Sequence, residues 1–319
     1  MPEVSVIIPV YNGEKYIEEA LESVFAQTFQ DFEVIVINDG STDGTEQRLA
    51  KYFPRIRYLL QDNQGQSASR KVGLELAEGL LIAFLDADDA WLPKKLERQV
   101  EFAQTHPEYG IVTTDQLSFR DNEVVCPSYK TIFKITNGFI LERILFGHWI
   151  STSAALIRRE CFDKVVFYSS EPPEFAEDWM MWMQIAAYYP IYFIDEVLVR
   201  RRLHAGNVSY QKEEAQFQCL LRNLEILREK IPRLKARPRV IDEAAFRICF
   251  SRGVTDLRAV ELPRARERLQ RAVSYKPHAI KAWAALCATY IPAGVLYGLK
   301  KVMGRRKPPS AASKGGSRK

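Results

Sequence analysis

The chain has 319 residues and a net charge of +5, with 47% hydrophobic and 27% charged residues. These proportions exclude a wholly disordered chain and allow one large domain, or one domain with an appendage. Residues 300–319 carry eight Lys or Arg and no acid, so the other 299 sum to about −3 (5 minus 8). A nucleic-acid-binding surface on the main body is therefore not expected.

Five widely spaced cysteines include no C-x-x-C pair, which predicts neither a disulfide framework nor a zinc site. The first ten residues, MPEVSVIIPV, lack the basic stretch and the long apolar run of a signal peptide. We therefore expect a cytoplasmic protein with reduced thiols.

The first hundred residues alternate apolar runs with amphipathic patterns. The apolar runs predict strands at 4–10, 33–38, 55–60 and 81–85. The amphipathic patterns predict helices at 14–26, 43–53 and 67–78. Strands that are apolar throughout are buried on both faces, and alternation with helices predicts right-handed crossovers and a mostly parallel sheet. The expected fold class is α/β.

The pattern changes after Trp91. We predict a helix at 92–105, strands at 110–115 and 151–158, a helix at 174–189 and a strand at 191–200. Residues 211–304 are predicted to be helical. The expected organisation is an α/β domain at 1–210, a helical region at 211–304 and a basic disordered tail at 305–319.

Polar residues follow each of the first four predicted strands. In chain order they are Tyr11-Asn12-Gly13, Asp39-Gly40-Ser41, Asp62-Asn63 and Asp86-Ala87-Asp88-Asp89. In α/β sheets ligands bind beyond the carboxyl ends of the strands, so these four segments predict one site. No G-x-G-x-x-G or G-x-x-x-x-G-K-[ST] pattern is present, and neither dinucleotide binding nor P-loop chemistry is supported.

The acidic segment 86–89 allows several interpretations. A calcium loop of the EF-hand type is excluded by Trp91, which stands where that loop requires glycine. A phosphatase of the D-x-D-x-[TV] type would use Asp86 as nucleophile, but Ala90 occupies its fifth position and the motif follows the fourth strand rather than the first. A site for Mg²⁺ or Mn²⁺ that also holds a diphosphate remains, beside a purely structural turn with capping aspartates.

Four segments together resemble family 2 glycosyltransferases with the GT-A fold: VSVIIPVYNGEKYIEEALESVFAQT, INDGSTDGT, NQGQSASRKVGLELAEG and FLDADDAW. The resemblance covers about residues 3–100 and continues more loosely to 209. It implies a Rossmann-like, mostly parallel sheet with helices on both faces. It also implies transfer of a sugar, with inversion, from a nucleotide diphosphate, usually UDP, to a saccharide or lipid-linked saccharide in polysaccharide or cell-envelope glycan synthesis.

A single sugar is expected, because the Q-x-x-R-W motif and the several membrane spans of processive synthases are missing. Two rival hypotheses remain. One is a phosphatase or phosphotransferase that uses Asp86 as its nucleophile. The other is a non-catalytic protein that binds sugar nucleotides.

The resemblance also implies roles for individual residues. Asp39 would contact the uracil, and Asp86 would reach the ribose or a metal-bound water. Asp88 and His204 would ligate a divalent cation, Mg²⁺ or Mn²⁺. The whole nucleotide pocket would consist of Pro9, Tyr11, Glu14, Asp39, Asn63, Gly65, Arg70 and Asp86.

An inverting transfer needs a base for the acceptor hydroxyl, and a carboxylate is the usual choice. The family places its base at an E-D motif, which matches Glu177-Asp178-Trp179 here. The resemblance therefore implies Asp178 as the base, with Glu177 and Trp179 as neighbours of the base or the acceptor. The usual Gly-Gly-Phe-Asp before this motif is replaced by VVFYSSEPPEF, so the acceptor side departs from the family pattern.

Near the C-terminus, residues 282–299 form an uncharged run of 18, flanked by Lys281 and the basic tail. Pro292, Gly294 and moderate hydrophobicity argue against a membrane span. We predict a helix pair at a membrane interface, with packing onto the domain as the alternative. Basic residues beside an apolar segment favour an anionic membrane surface, so a peripheral location on the inner face of the cell membrane is expected.

Overall fold

The computed structural model describes residues 1–121, 123–132, 135–147, 150–166, 176–204 and 213–295. The chain forms two compact units, Met1–Arg237 and Pro238–Lys319. The predicted domain boundary at residue 210 and the predicted tail at 305–319 both lie outside the described residues. Both stay predictions.

Four parallel strands form one half of the central sheet. They are β1 Val4–Val10, β2 Phe32–Asn38, β3 Arg57–Leu60 and β4 Leu81–Phe84. Their spatial order is β3-β2-β1-β4, and every residue of β1 is buried. This agrees with the apolar character of the run, because a central strand has no face toward water. The predicted α/β fold with a mostly parallel sheet is confirmed.

The other half of the sheet mixes both strand directions. Its strands are β5 Ala90–Trp91, β6 Ile111–Arg120, β7 Glu123–Cys126, β8 Ala155–Arg158 and β9 Ile191–Arg202. Strand β8 is antiparallel to β4 and β6, whereas β6 and β9 are parallel. Within the described residues, the order of the nine-stranded sheet is β3-β2-β1-β4-β8-β6-β9-β5, with β7 on β6. The loop after β4 therefore lies close to the end of β9, since the short β5 that follows it pairs with β9.

Helices of the first unit are α1 Ile17–Phe25, α2 Thr45–Leu49, α3 Gln66–Leu76, α4 Lys95–Thr105, α5 Leu141–Phe146, α6 Glu177–Ala186, α7 Glu213–Lys230 and α8 Pro232–Lys235. The helix predicted over 43–53 is shorter than expected, because a 3₁₀ turn, Ala50–Arg55, follows α2 and contains Pro54. Proline has no N–H and disrupts a continuing helix. The prediction that a helix starts at Glu14 is also wrong, since Gly13 O accepts the N–H of Tyr16 and Ile17 in a turn before α1.

Helices cover both faces of the sheet, as predicted. Neighbouring residues of a strand point to opposite faces. Val6 and Ile8 of β1 share a buried cluster with Leu21 of α1. Ile7 points the other way and meets α3, where a Cβ on Gly73 would lie only 2.3 Å from Ile7 Cγ2. Glycine at this position therefore permits the close approach of α3 to β1.

The second unit contains α9 Pro238–Ala259, α10 Leu262–Tyr275 and α11 Ile280–Ala288. Leu269 and Val273 of α10 pack against Ala282 and Leu286 of α11. The beginning of the apolar run 282–299 is thus partly buried within its own unit, and residues 296–299 lie outside the described part. Among the described helices, none is both long and apolar enough to cross a membrane.

Candidate functional site

The loops after β1 and β2 are joined by hydrogen bonds. Gly13 N donates to Thr45 Oγ1 at 2.9 Å, and Thr42 N donates to Asn12 Oδ1 at 2.8 Å. Glu14 Oε2 accepts from Gly44 N at 3.1 Å. Asn12 has a φ of 52°, a conformation that asparagine tolerates better than most residues. The first two strand ends therefore form one polar rim, as the sequence predicted.

Asp39 is buried at the end of β2 and organises the segment that leads into α3. Its carboxylate accepts from Gln64 N at 2.9 Å, Gly65 N at 2.8 Å and Gln61 Nε2 at 2.7 Å. Gly65 has a φ of 88°, which favours glycine. The three donors hold Asp39 in place beside the exposed Asn63.

The acidic loop, residues 86–89, follows β4. Asp86 N donates to Ser153 Oγ at 3.2 Å, and Ser153 Oγ donates to Asp89 Oδ2 at 2.7 Å. Arg202 N at the end of β9 donates to Asp89 Oδ1 at 3.0 Å. Burial, together with the neighbouring Asp88 and Asp86, raises the pKa of Asp89 well above its usual range. Asp89 therefore braces the loop internally.

Asp88 faces a histidine from the segment that follows β9. His204 Nε2 lies 2.9 Å from Asp88 Oδ2, and the ring of Tyr16 packs 4.9 Å from the histidine ring. The part of the chain that the structure describes holds no group of three or more metal-ligating side chains. Proteins commonly bind Mg²⁺ through one or two carboxylates together with substrate phosphates, and Asp88 supplies one such carboxylate. An ion bound to it would lie within reach of the His204 ring.

Arg70 on α3 connects the acidic loop with α6. Its Nη2 donates to Asp86 Oδ1 at 3.0 Å, and its Nη1 donates to Glu177 Oε1 at 2.6 Å. Burial raises the pKa of both carboxyl groups, and the charge of Arg70 opposes that rise. Burial by itself would lower the pKa of Arg70, but the charges of Asp86 and Glu177 outweigh it and raise that pKa, so the guanidinium stays charged.

Helix α6 presents its two acids at its first turn. Trp179 and Trp182 are buried, and their indole N–H groups donate to Ile144 O at 3.3 Å and Ile150 O at 3.1 Å. This apolar anchorage fixes the helix. Its N-terminus, with Glu177 and Asp178, lies where the helix dipole favours negative charge.

The family model for glycosyl transferase family 2 matches residues 5–166. The chain belongs to glycosyl transferase family 2. The matched segment contains every strand from β1 to β8 and the acidic loop, so the family resemblance predicted from the sequence is confirmed.

Relatives and solved structures agree with the family 2 membership. A glycosyltransferase of unassigned specificity from Rickettsia prowazekii is 29% identical over 211 residues, which are 65% of this chain and 66% of the relative. The chain spans between 32% and 68% of the length of the first curated relatives that it matches.

Two solved structures share the fold. S. aureus TarS 1–349 in complex with UDP-GlcNAc has a TM-score of 0.70 at 21% identity and covers 94% of this chain and 92% of its own. A mannosyltransferase from Pyrobaculum calidifontis, in complex with GDP-Man and Mn²⁺, has a TM-score of 0.58 at 20% identity, with coverages of 95% and 88%. Similarity at this identity establishes the GT-A fold of the family 2 chain.

The predicted site residues fall into three groups in this family 2 chain. In the first group, a contact joins Asp88 to His204, and Arg70 joins Asp86 to Glu177. Asp39 and Gly65 form a second group, with Asn63 exposed nearby. The third group lies along β1 and the turn that follows it, where Pro9 is buried, Tyr11 is exposed and Glu14 is tied to the β2 loop. Their roles stay predictions.

Two residues for which no pattern predicted a role brace the acidic loop. Besides its backbone bond to Asp89, Arg202 donates from Nε to Asp88 O at 3.1 Å, and its side chain also pairs with Glu19. Ser153 bonds to both ends of the loop. The available signal was the looser part of the family resemblance, which extends to residue 209 and includes both positions.

Proposed function

We propose that this chain is an inverting glycosyltransferase that moves a single sugar from a nucleotide diphosphate, a UDP-sugar, to a hydroxyl group of a saccharide or lipid-linked saccharide. The observation that carries the proposal is the meeting of two acidic segments at one arginine. The loop that follows β4 supplies Asp86 to Asp89, and the first turn of α6 supplies Glu177 and Asp178. One segment suits a donor diphosphate and its cation, and the other suits an acceptor hydroxyl.

For the donor, the proposal assigns the nucleoside to the rim formed by the ends of β1, β2 and β3. Asp39 is already held by three donors, so it is preorganised to accept further hydrogen bonds from a base. Family membership supports a nucleotide-sugar donor. The TarS complexes with UDP-GlcNAc and with UDP support UDP in particular.

Asp88 and His204 are the residues that would hold Mg²⁺ or Mn²⁺. Bound there, the cation would neutralise the charge that develops on the leaving diphosphate. The mannosyltransferase structure with GDP-Man and Mn²⁺ supports this assignment. The side chains of Asp88 and His204 lie 2.9 Å apart. Arg202 at the end of β9 supports this arrangement, because it donates to the Asp89 carboxylate and to the Asp88 carbonyl.

Asp178 is proposed as the base. It would take the proton from the acceptor hydroxyl as that oxygen attacks the anomeric carbon from the face opposite the diphosphate. The carboxylate of Glu177 is engaged by Arg70, which favours a supporting role for it. Trp179 holds the helix by burying its ring rather than by facing solvent.

A peripheral location on an anionic membrane surface is part of the proposal, because it would suit a lipid-linked acceptor. It is supported by the eight basic residues of 300–319, which lie outside the described residues. Deleting 300–319 should move the protein from the membrane fraction to the soluble fraction. An unchanged distribution would remove the anchor from the proposal.

The experiment for the proposed function is a screen of UDP-, GDP- and dTDP-sugars for metal-dependent binding and for release of the nucleotide. We expect a UDP-sugar to bind and turn over with Mn²⁺ or Mg²⁺ and to do neither with EDTA. The matched variant Asp88→Asn should lose both the metal-dependent binding and the turnover. An acyl phosphate on Asp86, with no affinity for any nucleotide sugar, would support the phosphotransfer hypothesis instead.

A further inference from the structure

Arg70 joins two parts of the site that are far apart in sequence. Of its two acidic partners, Asp86 is 16 residues away and Glu177 is 107 residues away. Asp86 belongs to the acidic loop, and Glu177 belongs to the first turn of α6.

The position of Arg70 is fixed from both ends. Its backbone lies on α3, which is held against β1 by the close contact of Gly73 with Ile7. Its side chain is only 3% exposed, so the guanidinium depends on protein partners rather than on water. The two carboxylates supply them, and the same bonds restrain both acids.

The shape of the guanidinium matters for this link. Its planar fork directs Nη1 and Nη2 toward two different acceptors at once, whereas a lysine ammonium is a single point charge on a flexible stem. A lysine at position 70 would keep the charge and lose the fixed angle between the two bonds. Charge compensation and positioning can therefore be separated by experiment.

We propose that Arg70 is a positioning residue for the base. By bridging Asp86 and Glu177 it holds the first turn of α6, and with it Asp178, in a fixed position relative to the acidic loop. The inference rests on the proposed function, because it takes Asp178 as the base. It differs from a nucleotide-binding role for Arg70, since a buried side chain with both Nη atoms engaged acts on the alignment of the reacting groups. Its loss should lower kcat and leave donor affinity nearly unchanged.

The test compares R70K and E177Q with the wild-type full-length chain, using the UDP-sugar found in the screen and Mn²⁺. We expect kcat to fall by about 10²-fold in each variant, because small misplacements of reacting groups have effects of this size. The Kd for UDP with Mn²⁺, measured by calorimetry, should stay within about threefold of wild type. The control is R57K, since Arg57 is an exposed arginine that pairs with Glu78 away from the site, and its kcat should not change.

The kcat of the double variant R70K/E177Q should lie within about twofold of the kcat of R70K, because both changes weaken the same charge-assisted contact. If the contact were purely structural, R70K and E177Q would bind the donor more weakly and melt at a lower temperature. The kcat losses of the two single variants would then multiply in the double variant. If R70K does not fold, E177Q alone decides, since its amide keeps the shape of the glutamate.

Two results would overturn the inference and leave the proposed function intact. In the first, the wild-type chain turns over the sugar nucleotide, and both R70K and E177Q keep its full kcat. In the second, the Kd for UDP rises strongly in R70K while kcat is unchanged. The second would make Arg70 a nucleotide ligand. A wild-type chain that binds no nucleotide sugar would overturn the proposed function and this inference with it.

Discussion

Two buried arginines, one in each unit, contact carboxylates in different ways. Arg268 on α10 donates to Asp256 on α9 at 2.8 Å, and the two side chains are 2% and 4% exposed. Arg70 is equally buried, but its partners Asp86 and Glu177 are 30% and 20% exposed. Asp256 of the second unit is thus sealed from solvent, whereas Asp86 and Glu177 of the first remain partly exposed. We conclude that the first arrangement can receive a ligand and that the second stabilises a helix pair.

The comparison predicts that a change at the open site reduces catalysis and leaves stability almost intact. Asp178→Asn should lower sugar transfer by about 10²–10⁴-fold, the usual contribution of a general base, because the amide cannot take the acceptor proton. Donor binding with Mn²⁺ and the melting temperature should match wild type. Retention of full activity would exclude Asp178 from this role.

A change at the sealed pair should do the reverse. Asp256→Asn leaves Arg268 buried beside a neutral partner, which typically costs about 3–5 kcal/mol of folding free energy. Urea unfolding followed by circular dichroism would measure this loss, provided that the transition is analysed separately for the two units. Calorimetric binding of UDP at a temperature where the variant is folded should be unchanged. A variant with wild-type stability would contradict the structural role.

The smallest effect is expected for an exposed pair that serves as a reference for both regions. Lys130 donates to Asp195 at 2.6 Å, with both side chains more than half exposed. Solvent screening makes such pairs worth about 0–1 kcal/mol. Asp195→Asn should therefore change neither the unfolding midpoint nor the rate measurably, and a loss comparable to that of Asp256→Asn would break the contrast between sealed and exposed pairs.

Much of the first half of the fold could be predicted from the sequence. The runs at 4–10 and 81–85 are apolar without alternation, and they became parallel, fully buried strands. Because parallel strands end at one edge of a sheet, the polar segments after them could be assigned to one site. Asp39 and the acidic loop lie where this rule put them.

The contacts that complete the site could not be predicted from periodicity. Ser153 and Arg202 brace the acidic loop from segments that are 64 and 113 residues distant from Asp89 in sequence. The bridge from Arg70 to Glu177 is equally remote. Such pairs are set by the order of strands in the sheet, in which the chain reverses direction between β4 and β8, and a local pattern carries no information about that order.

The most direct test of the central claim, that the acidic loop and His204 receive a cation together with a nucleotide diphosphate, is the thermal shift caused by UDP with and without Mn²⁺. We predict that UDP at about 100 times its Kd stabilises the wild-type chain by about 2.7 kcal/mol when Mn²⁺ is present. With EDTA, or in Asp88→Asn, the shift should largely disappear. Equal stabilisation by UDP without any divalent cation would contradict the account.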